Sequence, residues 1–309
     1  MRGVRRVAVM SLALLMDATL GEPPERIHPV VWMGRAVGWL DERSPSGEGR
    51  HGPALQLLYG AGGVTLVGGV SYLLVSLVER RSGGIAGFLA EAWLLKSCFA
   101  YRALEGAAED VISNLDAGEV DEARDRLRSL VSRDRAGMGE AGISAAVIES
   151  VAENLSDSFT APLLAYALGG LPAAFAYRAV NTADAMIGYR GRHEYTGKFT
   201  ARTDDVLNLI PARVTAACIV LAAKPNTGRA VRAMLRDHAL TESPNAGWPM
   251  SAVAGALGVS LEKSGQYHLN PEARHSNVRD ARLARDLIRR AAIPCALLPL
   301  VAAACRGGE

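Results

Sequence analysis

In the stretch IESVAENLSDS, residues 148–158, three carboxylates recur at every fourth position, Glu149, Glu153 and Asp157. That period puts them on one face of a helix. Like charges so spaced disfavour an isolated helix by about a few tenths of a kcal/mol per pair, and from Ala136 through Tyr177 there is no Lys or Arg to offset them. The counter-charge must come from elsewhere in the fold or from a cation. With the amide of Asn154, these are hard oxygen ligands suited to Mg²⁺, which takes one or two carboxylates together with substrate phosphates. A solvated acidic face is the plain alternative, and the apolar segment that follows weakens it.

A second group follows closely. The 29 residues 177–205, from YRAVNTADAMIGYR through YTGKFTARTDD, place Arg178, Arg190, Arg192, Lys198 and Arg202 beside Asp184, Asp204 and Asp205, with Asn181 among them. Such a mixture suits phosphates and the metal that neutralises them; an ordinary surface loop with ion pairs is the alternative. Gly197-Lys198 is not a phosphate-binding loop of the Walker A type, because that pattern requires Gly at 192 and Ser or Thr at 199, where Arg192 and Phe199 stand. Any ATP site uses another scaffold. The six histidines show no zinc spacing and no GxSxG elbow occurs, so zinc-enzyme and serine-hydrolase chemistry lose their usual support. The third group is ESPNAGWP, residues 242–249, where two prolines and a glycine impose a turn around Asn245 and Trp248. The indole offers a flat face to a macrocycle or caps the core.

The elements that position these groups are largely apolar. Hydrophobic residues make up 49% of the 309, and the net charge of +2, from 34 basic and 32 acidic side chains, gives no reason to expect nucleic acid. Residues 54–78 are 25 in a row without a charge, and a hydrocarbon layer of about 30 Å takes about 20 apolar residues to cross. This run reads as a membrane span, with glycines at 60, 62, 63, 68 and 69 to admit a second helix. The amino terminus has the basic start and short apolar stretch of a signal peptide without a clear cleavage site before Gly21, so a retained first helix is expected. Residues 84–101 form a weaker apolar segment carrying Glu91 and Lys96, and 102–135 read as amphipathic soluble helices with Leu104, Val111, Leu115, Leu127 and Leu130 on one face.

Residues 159–180 are long enough to span, but Pro162, Gly169, Gly170 and Pro172 interrupt them. Breaks of this kind at membrane depth line a protein-enclosed cavity. Residues 206–223 carry Pro211 and Arg213 near the middle, and such an arginine is expected to face a polar cavity or a partner. Residues 224–290 are polar, with 11 Lys/Arg against 6 Asp/Glu, and 291–305 look too short for a span. The four cysteines, at 98, 218, 295 and 305, lie singly in apolar surroundings as packed or lipid-facing thiols. The expected fold is therefore all-α: a polytopic integral membrane domain over 1–309 with transmembrane or re-entrant helices. Within it lie a polar helical insertion with the acidic motif, 102–158, and the polar basic region, 224–290. Basic clusters at Arg2, Arg5, Arg6 and in 224–290 favour cytoplasmic placement. If 159–180 and 206–223 both cross, the polar stretch between them falls opposite its neighbours.

Several motifs in one order, LLMDATLGEPPERIHPVVWMGR, RDRAG at 133–137, the long middle stretch from Glu149 to Arg190, DDVLNLIPAR and SPNAGWPMSAVAGALGV, resemble the CobD/CbiB family along nearly the whole chain. The short tail after Cys305 and the stretch LEKSGQYHLN depart from it. The resemblance implies an adenosylcobinamide-phosphate synthase of the cell membrane, multi-pass, with its active site on the cytoplasmic side. It would use ATP and Mg²⁺ to couple a propionate of the corrinoid adenosylcobyric acid to (R)-1-amino-2-propanol phosphate. On that reading Glu149, Glu153, Asp157 and Asp184 are catalytic, and Glu149, Glu153, Asn154, Asp157, Asp204 and Asp205 bind metal. Arg178, Asn181, Arg190, Lys198 and Arg202 hold phosphates, and Asn245 and Trp248 contact the corrinoid. Expected partners are these substrates, membrane lipid and later cobalamin-pathway enzymes of the same membrane. A transporter of an anionic metabolite and a non-catalytic membrane sensor or scaffold are the rival readings.

Overall fold

The computed structural model describes residues 2–45, 52–81, 83–131, 135–188, 193–263 and 265–306. The chain is an all-α polytopic membrane protein, with one small sheet among the described residues, and it divides into two compact units. The first comprises residues 1–100, 161–208 and 299–309, the second 101–160 and 209–298. Four helical runs among the described residues are long and apolar enough to cross a membrane: Pro53–Arg81, Glu140–Ile187, Lys198–Ala222 and Val278–Cys305.

In the first unit α1 (Arg2–Leu20) packs on α4 (Gly84–Lys96), and α3 (Pro53–Arg81) packs on α8 (Ala161–Ile187), with α2 (Pro29–Glu42) against both α3 and α8. Val9, Met10 and Ala13 of α1 are fully buried, so the first helix belongs to the core of this unit. The outer face of α3, including Leu58, Leu66 and Leu73, is exposed. Apolar side chains displayed along the charge-free run 54–78 of this helix suit lipid.

The glycines of α3 do not all do the work expected of them. A side chain at Gly60 would overlap the carbonyl oxygen of Thr196, whereas Gly62, Gly68 and Gly69 face open space. The neighbour admitted at Gly60 is therefore the backbone of the segment before α9 (Lys198–Ala222), not a second helix.

The interruption expected in 159–180 is present as a kink in α8, where Gly170 has φ 74° and Pro172 follows. Proline cannot donate to the carbonyl four residues before it. That carbonyl, of Leu168, accepts instead from Arg306 Nη1, and the neighbouring Ala167 carbonyl accepts from Arg6 Nη1 at 3.2 Å. Two guanidinium groups thus satisfy backbone acceptors freed by the break, which is what lets a broken helix persist among apolar neighbours.

The second unit contains α5 (Tyr101–Asp116), α6 (Val120–Arg126) with a 3₁₀ turn to Ser129, and α7 (Glu140–Leu155), followed by a π-helical turn, Ser156–Thr160. Leu104, Val111, Leu115 and Leu127 are buried as the periodicity of 102–135 predicts, with Leu130 half-buried. The polar basic region holds more than helix. α10 (Thr227–Asp237) and α11 (Gly247–Leu257) lead into β1 (Val259–Lys263), β2 (Tyr267–Leu269) and β3 (Arg274–His275), with β1 central, antiparallel to β2 and parallel to β3. These strands are too short to show a two-residue period against the charges around them, and a left-handed Gly258 at φ 68° turns α11 into β1. Val259, Leu261 and Leu269 bury one face. Asp237 anchors the sheet to α10, accepting from Arg236 at 2.7 Å and from the Asn270 backbone at 2.7 Å.

The stretch 291–305, read as too short to span, is the end of α12 (Val278–Cys305), a 28-residue helix long enough to cross. Its charged first turns made the run look shorter. Along those turns Arg289 pairs with Glu105 at 2.8 Å, and Arg285 and Arg282 pair with Glu109 and Asp116, a ladder that joins α12 to α5. Cys98, Cys218 and Cys295 are buried and Cys305 is exposed. Burial pushes the Cys98 thiol up to about 12, so it packs as an inert apolar group.

A methyl group at Gly60 cannot be accommodated without moving backbone. Gly60→Ala is expected to lower stability in detergent by about 1–3 kcal/mol, and Gly62→Ala to leave it within about 0.5 kcal/mol. Thermal unfolding of the two variants beside the parent chain checks the contrast.

Candidate active site

Glu149 is buried on α7, while Glu153, Asn154 and Asp157 are half-buried. α7 is apolar on nearly every side, so its carboxylates are held among packed side chains rather than on a solvated face. Glu149 and Glu153 share the helix, but Asp157 falls in the π turn, whose wider winding shifts its phase. Thr160 Oγ1 donates to the Leu155 carbonyl, five residues back, at 2.8 Å and stabilises that turn. Asn154 donates to the Ser150 carbonyl at 3.0 Å and accepts from Ser158 Oγ at 3.1 Å, which fixes its amide and leaves one lone pair of its oxygen for another partner.

The second sequence group is carried by the last turns of α8 and the first turns of α9, in the first unit. Here a chain of hydrogen bonds is built. Tyr177 OH donates to Asn208 Oδ1 at 2.9 Å, and Asn208 Nδ2 donates to Asp204 Oδ2 at 2.8 Å. Asn181 Nδ2 donates to Asp204 Oδ1 at 3.3 Å, and Arg178 Nη1 donates to Asn181 Oδ1 at 3.0 Å. Asp204 is 8% exposed. Its two oxygens are matched by two amides, an arrangement that holds a carboxylate in a fixed orientation.

Around this chain Asp184 and Asp205 are half-buried, while Lys198 and Arg202 are exposed, with Arg202 4.0 Å from Asp205. Arg190 and Arg192 lie outside the described residues. In the second unit, Arg213 meets partners as its mid-helix position required. Its Nη1 donates to Asn245 Oδ1 at 3.2 Å, and its guanidinium lies 4.7 Å from the centre of the Trp248 ring. His238 stacks on the same indole at 4.0 Å and 19°, so protein groups already occupy indole surface that a macrocycle would use.

The six oxygen donors expected to bind metal are divided: Glu149, Glu153, Asn154 and Asp157 belong to the second unit, Asp204 and Asp205 to the first. Among the described residues no three His, Cys, Asp or Glu side chains are grouped so as to hold a metal ion. An all-protein cage is therefore not present among the described residues, whereas a Mg²⁺ that takes one or two carboxylates and completes its shell with phosphate oxygens needs no such cluster.

The CobD/Cbib protein family model matches residues 10–293. The chain belongs to the CobD/CbiB family. Cobalamin biosynthesis protein CobD of Dehalococcoides mccartyi strain CBDB1 is 42% identical over 272 residues, 86% of this chain and 87% of the relative. The corresponding figures are 39% over 267 residues, 85% and 86%, for the probable CobD of Methanothermobacter thermautotrophicus. For CobD of Brucella suis biovar 1 they are 37% over 278 residues, 85% and 83%. No solved structure gives a significant match.

Four polar residues of this CobD/CbiB member, Tyr177, Asn208, Lys96 and Glu91, were given no role by the sequence. Tyr177 and Asn208 complete the chain around Asp204; the signal for Asn208 was its place one turn after Asp204 on the same helix. The third is Lys96, 2% exposed, which pairs with Asp17 at 3.2 Å and with Glu22. His28 Nδ1 accepts from the Val30 backbone at 3.2 Å, leaving the ring proton on Nε2, which lies 2.9 Å from Glu22 Oε2. Likewise Glu91 accepts from Tyr166 OH at 2.6 Å and pairs with Arg5 at 2.8 Å. Lys96 and Glu91 were visible only as charges inside an apolar segment.

Burial raises the Glu22 pKa, but the hydrogen bonds from His28 and Lys96 outweigh it and hold the carboxyl below its ordinary 4.5. A depressed carboxylate contributes stability that is complete above the ordinary value and lost as pH falls through the folded one. Unfolding midpoints should therefore drop on acidification below about pH 4.5, with the slope reduced in Glu22→Gln. Asn208→Leu strips Asp204 and Tyr177 of a partner each. It is expected to cost about 1–3 kcal/mol in thermal unfolding, whereas Thr203→Val, which removes only a solvent-side bond to the Phe199 carbonyl, costs within about 0.5 kcal/mol.

Proposed function

We propose that this cobalamin-biosynthesis protein joins (R)-1-amino-2-propanol phosphate to a propionate of adenosylcobyric acid in an ATP-dependent amide synthesis, giving adenosylcobinamide phosphate. The observation that carries the reading is the chain Tyr177–Asn208–Asp204–Asn181–Arg178, buried at its Tyr177, Asn208 and Asp204 end, on apolar helices of a CobD/CbiB member. Ionisable groups are costly there and mark substrate sites.

A carboxylate is a poor electrophile. In the proposed sequence a propionate oxygen takes the γ-phosphoryl group and ADP leaves. The amine then attacks the acyl carbon, inorganic phosphate departs, and the amine loses a proton. Arg178, Lys198, Arg202 and Arg190 are assigned to phosphate oxygens, with Asn181 orienting Arg178. Glu149, Glu153, Asn154, Asp157, Asp184, Asp204 and Asp205 are assigned to metal and nucleotide, and one of the carboxylates accepts the amine proton. Mg²⁺, when bound, supplies neutralisation of the transferring phosphoryl charge. Asn245 and Trp248 are assigned to the corrinoid. Exclusion of water from the activated acid is assigned to the apolar helices that carry these groups. The proposed location is the cell membrane, with these residues on the cytoplasmic side where ATP is available, beside later enzymes of the pathway.

Purified protein incubated with adenosylcobyric acid, ATP, Mg²⁺ and aminopropanol phosphate should form a product of the amide's mass, with ADP released in equal amount. Glu153→Gln should lower the rate by about a hundredfold or more while remaining folded. Absence of an ATP-dependent product from the intact protein would sink the proposal. Substrate flux into vesicles without ATP turnover would favour a transporter, and an unaltered phenotype with Glu153→Gln a scaffold.

A further inference from the structure

α2 carries a face that nothing in the proposed reaction uses. Its buried residues, Pro29, Met33 and Val37, recur every four positions. The adjoining side shows Trp32, Arg35, Trp39 and, at the C-cap, Arg43, all exposed, the tryptophans at 51% and 55%. Spacings of three, four and seven put these four on one stripe. Two large indoles left half open to solvent on one stripe are unusual for a surface that meets only water.

The position of the helix says what meets it. Tyr59 OH donates to the Leu40 carbonyl at 2.7 Å, and Tyr59 lies six residues into α3, about 9 Å from its start at 1.5 Å per residue. On the other side, a methyl group at Gly34 or Gly38 would touch Met186, one residue before α8 ends at Ile187. α2 therefore sits at the end of the α3–α8 pair, where one membrane-length helix begins and the other stops. In a bilayer crossed by these two helices that end lies toward the headgroup layer, and indoles with guanidinium groups are the side chains favoured there. The lipid-facing side chains Leu55 and Leu58 of α3 are exposed at the same end.

The chemistry of the stripe fits that layer. Arg43 lies over the Trp39 ring at 4.1 Å and donates to the Trp39 carbonyl at 3.1 Å, which holds this indole in place. Trp32 Nε1 donates to the Arg26 carbonyl at 3.2 Å, so its ring is fixed as well. Two ordered rings supply apolar area for the acyl-carbonyl zone, and Arg35 supplies a positive group for a lipid phosphate.

We propose that α2 is an interfacial helix: its Trp32–Arg35–Trp39–Arg43 stripe docks on the headgroup layer of the bilayer, the indoles at acyl-carbonyl depth and Arg35 on lipid phosphate. The test uses the full chain in phospholipid vesicles whose acyl chains carry bromine either near the carbonyl end or near the methyl end. Carbonyl-end bromine should quench a share of the tryptophan emission that methyl-end bromine leaves intact, and that share should vanish in the W32F/W39F double variant. Each single variant, W32F and W39F, should remove part of it, which keeps the reading testable where the double variant folds poorly. Arg35→Glu should reduce the quenching gained when anionic lipid replaces zwitterionic lipid. Equal carbonyl-end quenching of the parent chain and the double variant would overturn the proposal, as it would show these indoles covered by protein, such as a second copy of the chain. Stronger quenching by methyl-end bromine would overturn it too, placing α2 in the hydrocarbon.

Discussion

Lys96 is enclosed between the carboxylates of Asp17 and Glu22, and the first unit depends on that enclosure. An ammonium removed from water is strongly disfavoured unless opposite charge and hydrogen bonds replace its hydration. The requirement joins the end of α4 to the end of α1 and draws in the loop that begins at Gly21. Through Glu22 it reaches His28, whose other ring nitrogen caps α2. One buried charge thus determines where the first helix, the following loop and the second helix meet.

The same constraint recurs wherever polarity enters an apolar element. Glu91 on α4 takes Arg5 and Tyr166, Arg213 on α9 takes Asn245 and the indole of Trp248, and the carbonyls released by the α8 break take Arg6 and Arg306. Each pairing joins segments remote in sequence. Hydrophobic packing alone discriminates poorly between arrangements of apolar helices, because lipid is as apolar as the neighbouring helix. Polar pairs supply directionality that such packing lacks.

Two local departures from regular helix prepare the proposed chemistry. The π turn at 156–160 frees the chain from the phase of α7, so Asp157 is presented differently from Glu149 and Glu153. The kink at Gly170 reorients the second half of α8, which carries Tyr177, Arg178 and Asn181 to the first turns of α9. Irregular winding of this kind costs stability, and its place beside the carboxylates and the phosphate-binding candidates is consistent with a functional use.

Much of this was legible in the sequence. The charge-free run of α3, the amphipathic period of 102–135 and the Pro/Gly breaks in 159–180 are local signals, and the corresponding elements appear where those signals lie. The family was legible too, since motifs in a fixed order survive without reference to contacts. Other features were not. The length of α12 was hidden because arginines in its first turns find carboxylates on α5, and the small sheet was hidden because its strands are shorter than the period that would announce them. The glycine at 60 was recognisable as a point of close approach, but not as one that admits the Thr196 backbone. In the site, Arg178, Asn181 and Asp204 could be named from residue type, yet their linkage through Asn208 and Tyr177 depends on α8 and α9 meeting. The sequence by itself determined which residues are apolar, which helices are long and which carboxylates lack a local counter-charge. Only the tertiary structure decided which partner each buried charge takes, because that choice depends on distances between segments far apart along the chain.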